Sequence, residues 1–382
     1  MMRPEQKKSP SDRKPIPVTR PFLPPLAEFI PYLERIWESR WVTNGGPQHQ
    51  ELERALCRYL NVPFISLFNN GTNALLTALQ ALDLPEGSEV VTTPFSFVAT
   101  AHAIKWNRLT PVFSDVEPTH GNLDPATIEA AITPRTRAIL PVHVYGNPCD
   151  TAAIADIAER HDLKVLYDAA HLFGVTRPAR PPLRDGDLSV LSFHATKVFG
   201  TFEGGAIVCS SEAMKKRIDS LKNFGFTGET TVAEVGMNGK MNEVQAAFGL
   251  LALTHIDEAL ARRRAVAERY TAALAGIPGI GIVRPSVGVT PAWPYFPITV
   301  EAAHLGKSRD DLFEEFKRHD ILPRRYFYPL ISSFAPYRDL PSAAPEKLPV
   351  AARFAEQVLC LPIFPDITGE EIERTITVIK AT

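Results

Sequence analysis

Short apolar runs alternate along this chain with stretches in which apolar residues recur every three or four positions. The runs FISLF (64–68), EVVTTP (89–94), PVFSDV (111–116), RAILPVHV (137–144), KVLYD (164–168), DLSVLSF (187–193) and AIVCS (206–210) have the length and β-branched content of strands. Helical spacing holds over 26–40, 48–60, 125–131 and 151–160, and through the Ala/Leu-rich GTNALLTALQAL that follows Asn70. Strands alternating with helices predict an α/β fold, a mostly parallel central sheet covered by helices on both faces. Ligands of such sheets gather at the carboxyl ends of the strands.

The rhythm changes after residue 210. Ser211 opens a predicted helix, a long loop follows, and another helix begins near Asn242. Helical spacing from 256 to about 275 reads as a bridge from a large domain (21–255) to a smaller α+β domain (256–382). That second domain mixes PYFPITV with helical stretches at 309–318 and 369–380. At the other end, residues 1–20 are polar, basic and rich in proline, and predict a disordered tail without the apolar core of a signal peptide.

Composition narrows the function classes. With 382 residues, 45% hydrophobic and 22% charged, the chain is long enough for two domains and a sizeable core. A formal net charge of −2 argues against a partner such as nucleic acid, which needs a basic footprint. No run approaches the roughly 18 apolar residues of a membrane span, so no membrane partner is expected. Cys57, Cys149, Cys209 and Cys360 lack CxxC or metal-type spacing, which predicts free thiols, no metal centre and a reducing, cytoplasmic setting.

Candidate chemistry concentrates between DAAHLFG (168–174) and SFHATKVFGTFEGG (192–205). A lysine amine condenses with an aldehyde, and pyridoxal phosphate is the aldehyde cofactor that pairs a lysine with an Asp partner on its ring nitrogen. Lys197 supplies the amine. Asp168, at the end of KVLYD, would keep the ring nitrogen protonated, because opposite charges favour the ionised form of each. His171 would reach the ring oxygen and Ser192 the phosphate. Taken singly, a strand-end Asp is more often a helix cap or turn former, and a lone loop lysine a solvated charge. His171 and Ser192 alone would be an ordinary histidine and strand serine. Their joint order and spacing overturn those readings. Gly71 and Thr72 stand where a strand gives way to a helix, so backbone N–H groups and the helix dipole converge on an anion site. Phe97 is either a core ring or a ring lying on the cofactor face, worth roughly 0.5–1.5 kcal/mol beyond its burial.

These motifs resemble the aspartate and lysine motifs of the DegT/StrS family of sugar-nucleotide aminotransferases, fold type I enzymes that use pyridoxal 5′-phosphate, and the resemblance runs from about residue 21 to about 330. It implies that Gly71 and Thr72 bind the cofactor phosphate. It also implies that GMNGKM (236–241) carries Asn238 to the phosphate of a neighbouring subunit, in a homodimer with shared active sites. Lys240 becomes a candidate contact to a nucleotide sugar. So do Arg324, Arg325 and Tyr326 in ILPRRYFYPL, for which a solvated edge and a core ring are the alternative. The chain departs from the family where it has Tyr167 for the Glu of many members, His171 for Gln and Asn70 for Ser. The implied reaction moves an amino group from glutamate to a nucleotide-linked keto-deoxy sugar, with dTDP-4-keto-6-deoxyglucose expected and a 3-keto isomer as the alternative. Relatives that dehydrate sugars are a rival reading, but their 3-dehydratase type carries histidine where this chain has Lys197. A cofactor-binding regulator without turnover is another, which no appended helix-turn-helix or basic segment supports.

Overall fold

Seven apolar runs become the strands of one sheet. The computed structural model describes residues 14–178 and 180–381. The strands are β1 (Phe64–Phe68), β2 (Glu89–Thr92), β3 (Thr110–Phe113), β4 (Thr136–Leu140), β5 (Lys164–Asp168), β6 (Leu188–Ser192) and β7 (Gly205–Cys209). Their spatial order is β1-β7-β6-β5-β4-β2-β3. Strands β2 to β6 pair in parallel, as the alternation with helices predicts. β7 lies antiparallel between β1 and β6. The β6–β7 connection, 193–204, holds no helix, and a parallel return needs a crossover that is usually helical, so the chain doubles back. That connection carries Lys197.

Both faces of the sheet are buried. On one, Ala74, Leu75, Ala78 and Leu79 of helix Gly71–Ala81 meet Val90, Leu140, Leu166 and Val190. On the other, Leu52, Leu56, Ala247 and Leu251 meet Ile65, Leu67, Leu191 and Ala206, while Ile154 and Ile157 cover Val91, Ile139 and Val165. Each leucine, isoleucine and valine among them contributes roughly 1.5–3 kcal/mol by leaving water. Helix starts carry the caps their residues suit: the Asp150 side chain accepts from Ala153 N at 3.0 Å and Ser211 from Met214 N at 3.2 Å.

The separate C-terminal part has an antiparallel sheet of Ile280–Ile282, Phe296–Val300 and Val358–Leu361, with helices Ile256–Leu274, Arg309–Arg318 and Gly369–Lys380 around it. An aromatic cluster joins it to the large part: Phe95 meets Tyr145, Phe327 and Phe354 edge-on at 6.2, 5.6 and 5.2 Å.

The expected tail through residue 20 needs correction at its end. Residues 1–13 lie outside the described residues, but Ile16–Pro17 pairs in parallel with Ile321–Leu322, and Val18 O accepts from Ile363 N at 2.9 Å. Ile16 is fully buried; burying it and Val18 offsets the entropy of ordering the segment. Among the described residues, no helix is long and apolar enough to cross a membrane.

Candidate active site

The site forms where β1, β5 and β6 end. After β1 the chain turns at Asn69 and Asn70 into helix Gly71–Ala81, and Asn70, standing where the family has serine, caps that helix by accepting from Asn73 N at 2.8 Å. The helix start presses against two strand ends. A Cβ on Gly71 would lie 3.0 Å from Ser192 Cβ, and one on Gly205 would lie 2.7 Å from Asn70 O and 2.8 Å from Gly71 Cα. Glycine at both positions lets the turn seat on the sheet, bringing Gly71, Thr72 and the Ser192 hydroxyl into one corner.

Asp168 ends β5 with its side chain inside the molecule, 5% exposed. Its Oδ2 accepts from Thr100 Oγ1 at 2.8 Å and its Oδ1 from Ala170 N at 3.1 Å. Burial raises its pKa, while those two hydrogen bonds and the charge of Lys197 pull it back. Thr100 comes from helix Ala99–Trp106, whose approach carries Phe97; that ring is 61% exposed.

Lys197 sits in the loop between β6 and β7, its amide donating to His194 O at 2.8 Å. Burial lowers the pKa of its amine against the opposing pull of Asp168 and Tyr326. Its Nζ is 5.9 Å from the centre of the Tyr295 ring, and Tyr295 in turn meets Tyr326 at 5.2 Å. His171 is sandwiched in the same wall, parallel to Phe327 at 5.9 Å and edge-on to Tyr295 at 5.0 Å. Desolvation and then Lys197 hold its pKa well below the usual value, so the imidazole is neutral, and its buried Nδ1 has no hydrogen-bond partner among the described residues. Tyr167, the departure beside Asp168, stacks on His143 at 4.6 Å.

Lys197, Asp168, His171, Gly71, Thr72, Ser192, Phe97 and Tyr326 thus belong to one neighbourhood. Other predicted residues point elsewhere within this chain. Asn238 is exposed, its carbonyl accepting from Asn69 Nδ2 at 3.3 Å. Lys240 Nζ donates to Asn223 Oδ1 at 2.9 Å and lies over the Phe224 ring. Arg324 is exposed and pairs by its backbone with Cys360. Arg325 turns to Asp310 at 2.9 Å and stacks on Phe313, the solvated-edge alternative. Sequence reasoning missed Thr100 and Tyr295. A polar residue three positions after Phe97 was the available signal for Thr100; Tyr295 carried none.

This residue set fits pyridoxal phosphate. The unpartnered His171 Nδ1 and the buried Asp168 carboxylate await a polar ring, and the glycine-seated helix start awaits an anion. Fold and site define a fold type I pyridoxal-phosphate-dependent aminotransferase. Residues 26–380 match the DegT/DnrJ/EryC1/StrS aminotransferase family. The chain is 54% identical over 367 residues to the dTDP-4-amino-4,6-dideoxy-D-glucose transaminase of Shigella dysenteriae, covering 96% of this chain and 99% of that one. It is 50% identical over 366 residues to the Escherichia coli enzyme of the same name, covering 95% and 97%. A crystal structure of DesI in the presence of its TDP-sugar product superposes with a TM-score of 0.92 at 35% identity, over 97% of this chain and 93% of that one. The chain belongs to the DegT/DnrJ/EryC1/StrS aminotransferase family.

Proposed function

We propose that this enzyme moves the amino group of glutamate to a dTDP-linked 4-keto-6-deoxyglucose, giving dTDP-4-amino-4,6-dideoxyglucose, in the cytoplasm. The observation that carries the reading is the 54% identity, over nearly the whole of both chains, to a transaminase named for that product. Bound pyridoxal phosphate supplies a reactive aldehyde and a ring that draws off electrons.

The chain's own groups hold and protonate. The Gly71 and Thr72 amides and the Ser192 hydroxyl bind phosphate at the helix start. Asp168 uses one lone pair on each oxygen for Thr100 and Ala170, which leaves others for a ring N–H. His171, kept neutral, has one ring N–H to donate to the ring oxygen. Lys197 is the amine that engages the cofactor and then carries the proton between carbons; an amine with a pKa lowered by desolvation is more readily deprotonated near neutral pH and so the more available base. Phe97 covers the ring face, while Tyr326, Arg324 and Lys240 contact the sugar nucleotide; Arg325 is held by Asp310 instead.

The assembly is a homodimer with shared sites. Leu26, Ile30 and Trp37 form an outward apolar stripe on helix Leu26–Ser39, 71%, 45% and 72% exposed, the kind of patch that a partner covers. Asn238, exposed on its loop, would serve the second copy in this reading. The deciding experiment offers glutamate with a panel of 3-keto and 4-keto nucleotide sugars and reads product by mass spectrometry. Turnover of dTDP-4-keto-6-deoxyglucose at least about tenfold above any 3-keto isomer is expected, a discrimination of about 1.4 kcal/mol. Preference for a 3-keto sugar, or turnover by none, rejects the assignment.

A further inference from the structure

The carbonyl oxygens that begin the Asn69–Thr72 turn and close the Lys197 loop meet one side chain. Gln245 stands in the first turn of helix Glu243–Thr254. Its Oε1 accepts from Asn242 N at 3.2 Å while its own N donates to Asn242 Oδ1 at 2.9 Å, a reciprocal cap. Capping uses only the oxygen end of the amide. The nitrogen end donates to Glu203 O at 2.6 Å and to Asn69 O at 3.4 Å. Glu203 immediately precedes the glycine pair that ends the Lys197 loop, and Asn69 opens the turn into helix Gly71–Ala81. Asn69 is tied further, its N donating to Gly239 O at 2.8 Å and its Oδ1 accepting from Asn73 Nδ2 at 2.9 Å.

We propose that Gln245 is a positioning residue for cofactor binding: its amide nitrogen sets the separation between the phosphate-binding turn and the lysine loop. The inference rests on the reading that those two segments hold the two ends of pyridoxal phosphate. A ligand gripped at both ends binds only as well as the grips are spaced, and a misplacement of an ångström is costly. Helix capping does not demand glutamine, because glutamate at this position completes the same cap. The donor pair is what glutamine alone adds, and no cap accounts for it.

Gln245→Glu therefore separates the two roles, keeping the capping oxygen and removing the donors. The expected result is a melting temperature of the cofactor-free protein within about 2 °C of wild type, with a pyridoxal phosphate dissociation constant raised about tenfold in an absorbance titration. Gln245→Met, of equal length and without donors, carries the test if the glutamate variant fails to fold, and is expected to raise the constant comparably. Asn242→Ala, which removes only the reciprocal cap, should lower the melting temperature and leave the constant within about twofold. Unchanged binding in the Gln245 variants, or an equal loss in Asn242→Ala, overturns this inference alone. Failure of the wild type to bind pyridoxal phosphate overturns the functional reading and this inference with it.

Discussion

Beside β1, Lys215 Nζ lies 3.1 Å from Glu53 and 2.6 Å from Asp219, and Lys222 Nζ lies 2.7 Å from Asp219 and 3.5 Å from Glu53. In the middle of the strand order, by the ends of β5 and β6, Lys197 faces Tyr295, Tyr326 and one carboxylate, Asp168. Burial opposes the charge of both Lys215 and Lys197. Glu53 and Asp219 overcome it for Lys215, whose pKa rises, whereas Asp168 does not for Lys197, whose pKa falls. The same residue type is a structural cation in one place and a candidate base in the other. What separates them is the number of carboxylates within reach of a desolvated amine.

The contrast breaks if the two lysines respond alike to removal. Lys197→Ala is expected to lower turnover at least about a thousandfold and to abolish the visible absorbance of the bound cofactor, without lowering the urea midpoint of the cofactor-free protein. Lys215→Ala should keep that absorbance and cost about 1–2 kcal/mol in urea unfolding, since Glu53 and Asp219 then share Lys222 as their one remaining lysine. Retained turnover in the first variant would remove the chemical half of the comparison.

Histidines sharpen it, because both regions keep one neutral by burial. His49, beside the ion cluster, is lowered to about 4 and His143, stacked on Tyr167, to about 3, in each case chiefly by desolvation. Each binds a proton more readily unfolded, with a pKa near 6.5, than folded. The stability they allow is therefore whole above pH 6.5 and is lost as pH falls toward 4 and 3, at about 1.4 kcal/mol per pH unit for each. His143→Gln should remove one proton's worth of that slope in urea titrations between pH 6.5 and 4. An unaltered slope would show that His143 is protonated in the folded state. The smallest effect is expected at Phe97, whose 61% exposure means that truncation costs the fold little. Phe97→Ala should weaken pyridoxal phosphate binding about three- to tenfold, and a wild-type constant would take the ring off the cofactor.

Much of this architecture is legible along the chain. KVLYD and DLSVLSF announce buried strands because parallel strands covered on both faces need continuous apolar runs, and the caps at Asp150 and Ser211 act within three residues of sequence. The pairing of an acid at one strand end with a lysine beyond another is likewise visible, since strand ends on one edge of a parallel sheet share a neighbourhood. The ordering of Ile16 was not visible, because its partner strand, Ile321–Leu322, is remote in sequence. Nor was the departure of Arg325 toward Asp310, fifteen residues away across a strand and a helix.

Residues along the chain are enough to mark the seven strands of the central sheet and most of the helices that cover it, the corner of the sheet that collects ligands, and the residue types that stand there. Only the tertiary structure decided that β7 runs antiparallel, that Thr100 holds Asp168, that Gln245 ties two loops, and that Lys197 has its pKa lowered while Lys215 has it raised. Local periodicity and capping depend on neighbours along the chain, whereas the protonation of a buried group depends on charges and donors that folding brings from elsewhere.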